Sequence, residues 1–307
     1  MTMQHFQRMA KASRPQVGIA GSLSGHRVAH APFFHAALDF LERRGVPAQL
    51  GDDASSPEQA LALAHAFERN GVRLVIGHFN SACARAVMPF YRAHGMALLL
   101  PASTDVGLEL GAGAYRLCPH DADQARTIGD WLRSRAAPAL GVEVRVDGSD
   151  YADRLLQCLR SELGQGIVRV LGTADPAPVS APLCVVLAVA HQALDFMQRS
   201  SPGLARCTTV FSDEAAVAEF SGAARGLGLA CWVVTPEPSY EALLMQACEL
   251  AARWHQHKPA ESSFAQWVGA QTHFLPSGEA RDAAWAVRAC VPPHAAHGLP
   301  ETATQVH

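Results

Sequence analysis

The sequence predicts an α/β protein of two domains, each built on a parallel sheet. Three observations predict it. At 307 residues the chain exceeds what one core usually organises. Short, continuously apolar strands alternate with helical patterns, as parallel strands covered on both faces do. The alternation then restarts near residue 121, so a second βα series is expected.

Taken in order, "QVGIAGS" (16–22) reads as a strand, 26–44 as a helix and "AQLGDD" (48–53) as a strand. The next helix, "SPEQALALAHAFERNG", carries its own boundaries. Ser56 is a candidate N-cap, Pro57 takes the first helical position, Gln59 sits three residues on, and Gly71 follows the end. "RLVIG" (strand), 81–94 (helix closed by Gly95), "ALLLP" (strand) and "AYRLC" (strand) complete the first series. The second series has helices at 121–137, 149–163, near 191–200 and at 214–225. Its strands are 140–146, 167–172, the apolar run ending in "LAVA", "CTTVFS" and "LACWVV". The Pro-rich link "GTADPAPVSAP" stands where alternation would call for a helix. Helical patterns at 238–257 and 262–270 follow, then a weak strand "QTHFL" (271–275), and a Pro/His-rich tail over 291–307 expected to be disordered.

Composition excludes several classes of function. A net charge of −3 with 17 % charged residues gives no basic face for nucleic acid. No run reaches the roughly 18 apolar residues of a membrane span. The first residues lack the apolar core and cleavage site of a secretory signal, so the chain as written is expected in the cytoplasm. Eight cysteines without any C-x-x-C pair read as buried free thiols in a reducing compartment. The close histidine pairs, His255 with His257 and His294 with His297, have no carboxylate or cysteine partner nearby, so solvated histidines are expected rather than a zinc site, and no metal or cofactor is implied.

Candidate binding residues come from strand ends, because ligands of open parallel sheets gather there. "GHFNSACARAV" places Ser81 at the start of a helix. Its hydroxyl and the nearby amides suit a carboxylate or phosphate, or Ser81 serves only to cap its own helix. "LLLPASTDVG" puts Ser103 and Thr104 after the next strand, so two neighbouring strand ends carry hydroxyls that could hold one carboxylate from two sides. The first strand is followed by "GSLSG" rather than G-x-G-x-x-G, and neither a Walker lysine nor a G-x-S-x-G elbow is present. An enzyme reading would use Ser81 or Cys83 as nucleophile with His78 or His191 as base. Nothing in the spacing places a base to activate either one.

"GSLSG", "GDDASSPEQALALAHAFERNGVRLVIGHFNSA", "LLLPASTD" and "YRLCPHDADQ" together resemble the leucine/isoleucine/valine-binding protein family, the type I periplasmic binding proteins of amino-acid ABC transporters. The match covers roughly 15–130 and continues more loosely to about 250. The resemblance implies two Rossmann-like lobes with parallel sheets, joined by crossing hinge strands and closing over an amino acid. It implies a first lobe of 1–118 plus about 235–270 and a second of 119–234 plus about 271–290. Carried over by position, Ser81, Ser103 through its carbonyl, and Thr104 through hydroxyl and amide would hold the ligand's α-carboxylate and α-ammonium. From the second lobe it implies Tyr151 and an acid, Glu214, or Asp213 if the register slips by one. A helix-start acid serving only the dipole is the other reading of Asp213 and Glu214. Tyr240 matches a side-chain-pocket region, and His191 or Ala190 stands where the family has an aromatic lid.

Departures from the family carry information too. Ser55 and Asn80 replace the two cysteines of the disulfide that some members carry in the first lobe. With the expected cytoplasmic location, this is similar to the intracellular amide sensor of the same fold that controls transcription termination through a partner. The implied function is therefore binding of an amino acid or analogue with an ABC permease as partner. A cytoplasmic sensor with a regulatory partner, or an interaction module with a decayed cleft, are the alternatives. A non-enzymatic role is expected.

Overall fold

The structure, a computed structural model, describes residues 16–111, 113–135, 141–257, 263–269 and 273–290. The tail 291–307 and the His294/His297 pair lie outside them. By its contacts the chain divides into two compact units. Unit 1 comprises residues up to Asp123 together with Pro236–Trp285, and unit 2 comprises Gln124–Thr235 and the residues from Ala286.

Unit 1 holds strands β1 (Val17–Gly21), β2 (Ala48–Asp52), β3 (Leu74–Ile76), β4 (Ala97–Leu100) and β5 (Ala114–Arg116), all parallel, in the order β2-β1-β3-β4-β5. Alternate residues of the central strands feed two cores. Ile19, Leu74, Ile76 and Leu99 pack with Phe34, Ala37 and Leu41 of helix α1 (Ala31–Arg43). Ala20, Val75, Leu98 and Leu100 pack on the other side with α2 (Pro57–Asn70) and α3 (Ser81–Ala93). This two-faced burial is why the strands read as unbroken apolar runs.

The boundaries of α2 follow the sequence reading. Ser56 Oγ accepts from Gln59 N, Pro57 opens the helix, and Gly71 ends it at φ 86°, a left-handed conformation that costs a glycine little. The single helix expected over 26–44 is instead two pieces, a 3-10 turn Gly25–His30 and α1, with Arg27 outside helical geometry. Pro32 explains the break. Without an N–H it fits only the first turn of a helix, so the α-helix restarts there.

Unit 2 is a six-stranded sheet in the order β11-β10-β9-β8-β6-β7, from β6 (Val142–Val146), β7 (Ile167–Gly172), β8 (Leu183–Leu187), β9 (Thr208–Phe211), β10 (Trp232–Glu237) and β11 (Ala284–Ala289). The pairings β6–β7, β6–β8, β8–β9 and β9–β10 are parallel. Helices α4 (Asp121–Arg135), α5 (Asp150–Leu163), α6 (Ala190–Leu204) and α7 (Ala218–Gly226) follow the alternation, and α8 (Tyr240–His257) and α9 (Phe264–Gly269) belong to the stretch returned to unit 1.

Three expectations need correction. The helix at 214–225 begins only at Ala218, because Asp213–Ala215 form a separate 3-10 turn and Val217 is extended at φ −120°, the region its branched side chain favours. "QTHFL" makes no strand among its described residues: Phe274 forms one isolated bridge to Ala280, and the strand lies ten residues on, at β11. Finally, the segment through Trp285 stays with unit 1 rather than with the second lobe. There Glu279 bridges Arg116 and the Phe274 ring lies 5.2 Å from that of Tyr115.

Candidate functional site

In unit 1 the carboxyl ends of β3 and β4 are tied together. Gly77 turns the chain out of β3 at φ 128°, with Ala20 O so close that a Cβ would lie 2.0 Å from it, so only glycine fits. Asn80 then caps α3, its Oδ1 accepting from the amides of Ala82 and Cys83 at 2.8 and 3.3 Å. The cap is therefore Asn80 and not Ser81. The Ser81 hydroxyl instead accepts from Asp105 N at 3.4 Å, reaching across to the loop after β4. In that loop Ser103 is fully buried and donates its hydroxyl to His78 O at 2.7 Å. Thr104 is buried, and its carbonyl accepts from Asp121 N at 2.8 Å, the first residue of α4. Ser81, Ser103 and Thr104 are thus gathered at two adjacent strand ends. Tyr240, also expected at the site, is the first residue of α8. Its ring lies 6.3 Å from that of Phe79, which follows β3, and 6.4 Å from that of Trp285.

Beneath these loops runs a network that the sequence did not single out. His78 is fully buried, with Nδ1 2.7 Å from Asp53 Oδ2 and Nε2 3.2 Å from Tyr91 Oη. Asp53 also accepts from Ser22 Oγ and Ser55 N, and the Ser22 and Ser55 hydroxyls are 2.6 Å apart. Ser55, one of the two positions where a family cysteine is replaced, is therefore part of a polar cluster. Both ring nitrogens of His78 are engaged, which leaves neither to activate Ser81. Burial pushes the Cys83 thiol up to about 12. His78 is therefore not placed to act as a base for Ser81 or Cys83.

Burial alone would raise the Asp53 carboxyl, but the hydrogen bond and charge of His78, with the Ser55 amide and Ser22 hydroxyl, outweigh it and hold the group below its ordinary 3.8. A depressed carboxyl contributes stability that is present above the unfolded value and lost as pH falls through the folded one. The stability difference between the parent and Asp53→Asn is therefore expected to be full above about pH 5 and to shrink below the ordinary value. Urea midpoints from about pH 6 to pH 2 check this, and a constant difference across that range contradicts it.

In unit 2 the expected residues collect at the ends of β6, β8 and β9, three adjacent strands. Asp147, after β6, accepts from Val189 N at 2.7 Å and from the Ser149 amide and hydroxyl, which fixes the start of α5 beside the end of β8. Tyr151, in the first turn of α5, donates to Asp213 Oδ1 at 2.5 Å. Gln124, in the first turn of α4, donates to the same oxygen at 2.7 Å. Asp213 is 6 % exposed and Glu214 is half-buried beside it. Burial, then the charges of Asp213 and Glu214, push the Tyr151 hydroxyl well above its ordinary range, so it stays a donor. Of the two candidate acids, Asp213 is the one joined to Tyr151. His191, in the first turn of α6, is exposed and lies 3.3 Å from the Gln192 amide. Gln124 was not picked out from the sequence, although it closes the "DADQ" that carries part of the resemblance.

Among the described residues no group of three His, Cys, Asp or Glu side chains is placed to hold a metal ion. Likewise, no helix is long and apolar enough to cross a membrane.

The family described as "Periplasmic binding protein" matches residues 45–178. The Leu/Ile/Val-binding protein homolog 1 of Brucella abortus is 28 % identical over 172 residues, 55 % of this chain and 40 % of the relative. The Leu/Ile/Val-binding protein of Escherichia coli is 26 % identical over 180 residues, 54 % of this chain and 48 % of the relative. The matches thus span less than half the length of these relatives. Among solved structures, the branched-chain amino acid transporter substrate-binding protein LivJ of Streptococcus pneumoniae, in complex with isoleucine, superimposes with a TM-score of 0.68 at 15 % identity, covering 89 % of this chain and 99 % of that one. An ABC transporter substrate-binding protein of Desulfitobacterium hafniense, in complex with Leu, gives 0.66 at 18 % identity, covering 89 % and 98 %. The strand-end geometry, the partial family match and the structural likeness converge: over residues 45–178 the chain is similar to periplasmic binding proteins, and it shares the two-lobed α/β fold of these substrate-binding proteins.

Proposed function

We propose that the chain binds an α-amino acid or a close analogue, as a substrate-binding protein working with an ABC permease, and carries out no catalytic step. The observation that supports this most is the split in chemistry between the two units. The strand ends of unit 1 offer the Ser81 hydroxyl, the Thr104 hydroxyl and amide and the Ser103 carbonyl, whose loop is pinned by the Ser103 hydroxyl on His78 O, and those of unit 2 offer a buried carboxylate, Asp213, oriented by Tyr151 and Gln124. A carboxylate is held well by charge-assisted donors, and an ammonium taken out of water needs a countercharge. The donors of unit 1 suit an α-carboxylate, and the carboxylate of unit 2 suits an α-ammonium. Tyr240 contacts the ligand's side chain, and His191, exposed where an aromatic lid is expected, favours a more polar ligand than leucine.

The relatives named for branched-chain amino acids, and the solved neighbours carrying isoleucine or Leu, support the ligand class. Eight free thiols, together with Ser55 and Asn80 at the cysteine positions, support residence in a reducing compartment and hence the second reading, a cytoplasmic sensor with a regulatory partner.

A thermal-shift screen of amino acids, their amides and short analogues tests the ligand, since one at 100 times its Kd adds about 2.7 kcal/mol of stability. Calorimetric titration of a hit should show binding weakened by about 1.5–3 kcal/mol in Ser81→Ala and in Thr104→Ala, the usual loss for a hydrogen bond to a charged group. Parent-like affinity in both variants would remove the carboxylate role of unit 1. No shift with any zwitterion would remove the amino-acid reading.

A further inference from the structure

Eight cysteines are present as thiols, and two of them face each other across a strand pair at the edge of the unit 2 sheet. Cys231 immediately precedes β10 and Cys290 immediately follows β11. The Cys290 amide donates to Cys231 O at 2.9 Å, and four residues further in Thr235 Oγ1 reaches Ala286 O at 3.5 Å. Residue numbers rise along one strand as they fall along the other, so β10 and β11 run antiparallel and Cys231 stands opposite Cys290. Directly opposite residues of an antiparallel pair share a face and keep their Cα atoms about 4.5–5.5 Å apart, inside the range a disulfide spans without moving the backbone. The side chains agree with this placement. Each sulfur is the first influence on the other's acidity, and both residues belong to one apolar cluster.

The geometry points to Cys231 and Cys290 as a dithiol–disulfide site that reacts with small disulfides and, when oxidised, covalently joins the end of β11 to the start of β10. The two sulfurs have different parts in this. Cys290 is half-buried, 3.2 Å from Ser221 Oγ, and near Arg225 of α7. The neighbouring Cys231 thiol, with the Ser221 hydroxyl and the charge of Arg225, brings its thiol down against the opposing effect of burial, and Cys290 is the more exposed of the two residues, so it is the nucleophile. Cys231 is 4 % exposed, and its proton is held by the neighbouring Cys290 and by burial, so it is the resolving thiol.

The steps balance with a small disulfide RSSR as oxidant. Cys290 thiolate attacks one sulfur, the R–S–S–R bond breaks, and a mixed disulfide forms as one thiolate RS− leaves. The Cys231 thiol then passes its proton to RS− and attacks Cys290 Sγ, which expels a second RS− and closes the Cys231–Cys290 bond. RSSR is reduced to two thiols and the protein dithiol is oxidised. The inference does not depend on which ligand the chain binds.

The test is incubation of the full native chain with oxidised glutathione, followed by alkylation of remaining thiols, proteolysis and mass spectrometry. A cross-linked peptide containing Cys231 and Cys290 is expected, reverting to two alkylated cysteines after dithiothreitol. Cys231→Ser, lacking the resolving thiol, should instead retain a glutathionyl adduct at Cys290, and Cys290→Ser should leave Cys231 unreacted. Cys231 and Cys290 both still free in the parent, at glutathione ratios that oxidise other cysteines, would overturn the inference. So would a dominant disulfide joining another pair, such as Cys184 and Cys207. The parent's own peptide map decides the matter even if a serine variant folds poorly.

Discussion

Asp213→Asn is expected to weaken amino-acid binding by about 3–5 kcal/mol, the cost of leaving a desolvated charge without its partner, which is about two to three and a half decades in Kd. The substitution keeps the shape of the side chain, and an asparagine oxygen still accepts from Tyr151 and Gln124, whose bonds converge on Oδ1. What disappears is the negative charge at the end of β9. A folded variant with an unchanged melting temperature in the absence of ligand would separate this loss from local disorder. Glu214→Gln is the natural comparison, because the adjacent acid is half-buried and stands in the same 3-10 turn. Calorimetric titration of the two variants distinguishes their roles. A large loss in Asp213→Asn and a loss below about 1 kcal/mol in Glu214→Gln, as for an exposed ion pair, is the expected pattern. The reverse pattern would transfer the ammonium to Glu214, and no loss in either would remove the countercharge from unit 2.

That choice between neighbouring acids illustrates where sequence reading stops. The register of 213 against 214 depends on Tyr151, 62 residues away, and Gln124, 89 residues away. Neither separation leaves a local pattern. Ser81 presents the same difficulty in miniature. Whether it caps its helix or turns outward was undecidable from residue type, since Asn80 and Ser81 are both good caps. The decision rests on Asn80 Oδ1 taking the amides of Ala82 and Cys83. By contrast, α2 was legible down to its end residues, because Ser56, Pro57 and Gly71 act on atoms within a turn of themselves.

The misses share a physical cause. The β11 segment, "AWAVRA", alternates weakly and sits at a sheet edge, where pairing with β10 rather than propensity makes the strand. The Asp53–His78–Tyr91 chain joins residues from β2's end, β3's end and α3, and only the fold brings them into contact. Pro32, whose effect is local, was available to the reading and breaks the helix expected over 26–44 as its chemistry requires.

The Pro-rich link 173–182 supplies the second large effect. It replaces a helix, so its carbonyls and amides have no ladder of their own, and besides turns within the link and the Arg199 bond to Thr173 O, several of them are served by two charged side chains of β6. Glu143 and Arg145 are both fully buried and lie 2.6 Å apart, side by side on one face of the strand. Arg145 donates to the carbonyls of Gly172, Asp175 and Ala177 at 3.5, 3.4 and 2.7 Å, and Glu143 accepts from the amide and hydroxyl of Ser180 at 3.3 and 3.2 Å. The pair thus acts as a substitute for the missing helix. Glu143→Gln is expected to destabilise unit 2 by about 3–5 kcal/mol, because it strands the Arg145 guanidinium in an apolar interior beside Phe196. Replacing both residues together with apolar ones of similar size should be less damaging to the core than the single change, since no unpaired charge remains. The link should still loosen, because its carbonyls lose their donor. Urea denaturation read from probes in unit 2, with amide exchange over 173–182, measures both effects. A Glu143→Gln variant within about 1 kcal/mol of the parent, with exchange in the link unchanged, would mean that the loop is held by its prolines and not by the ion pair.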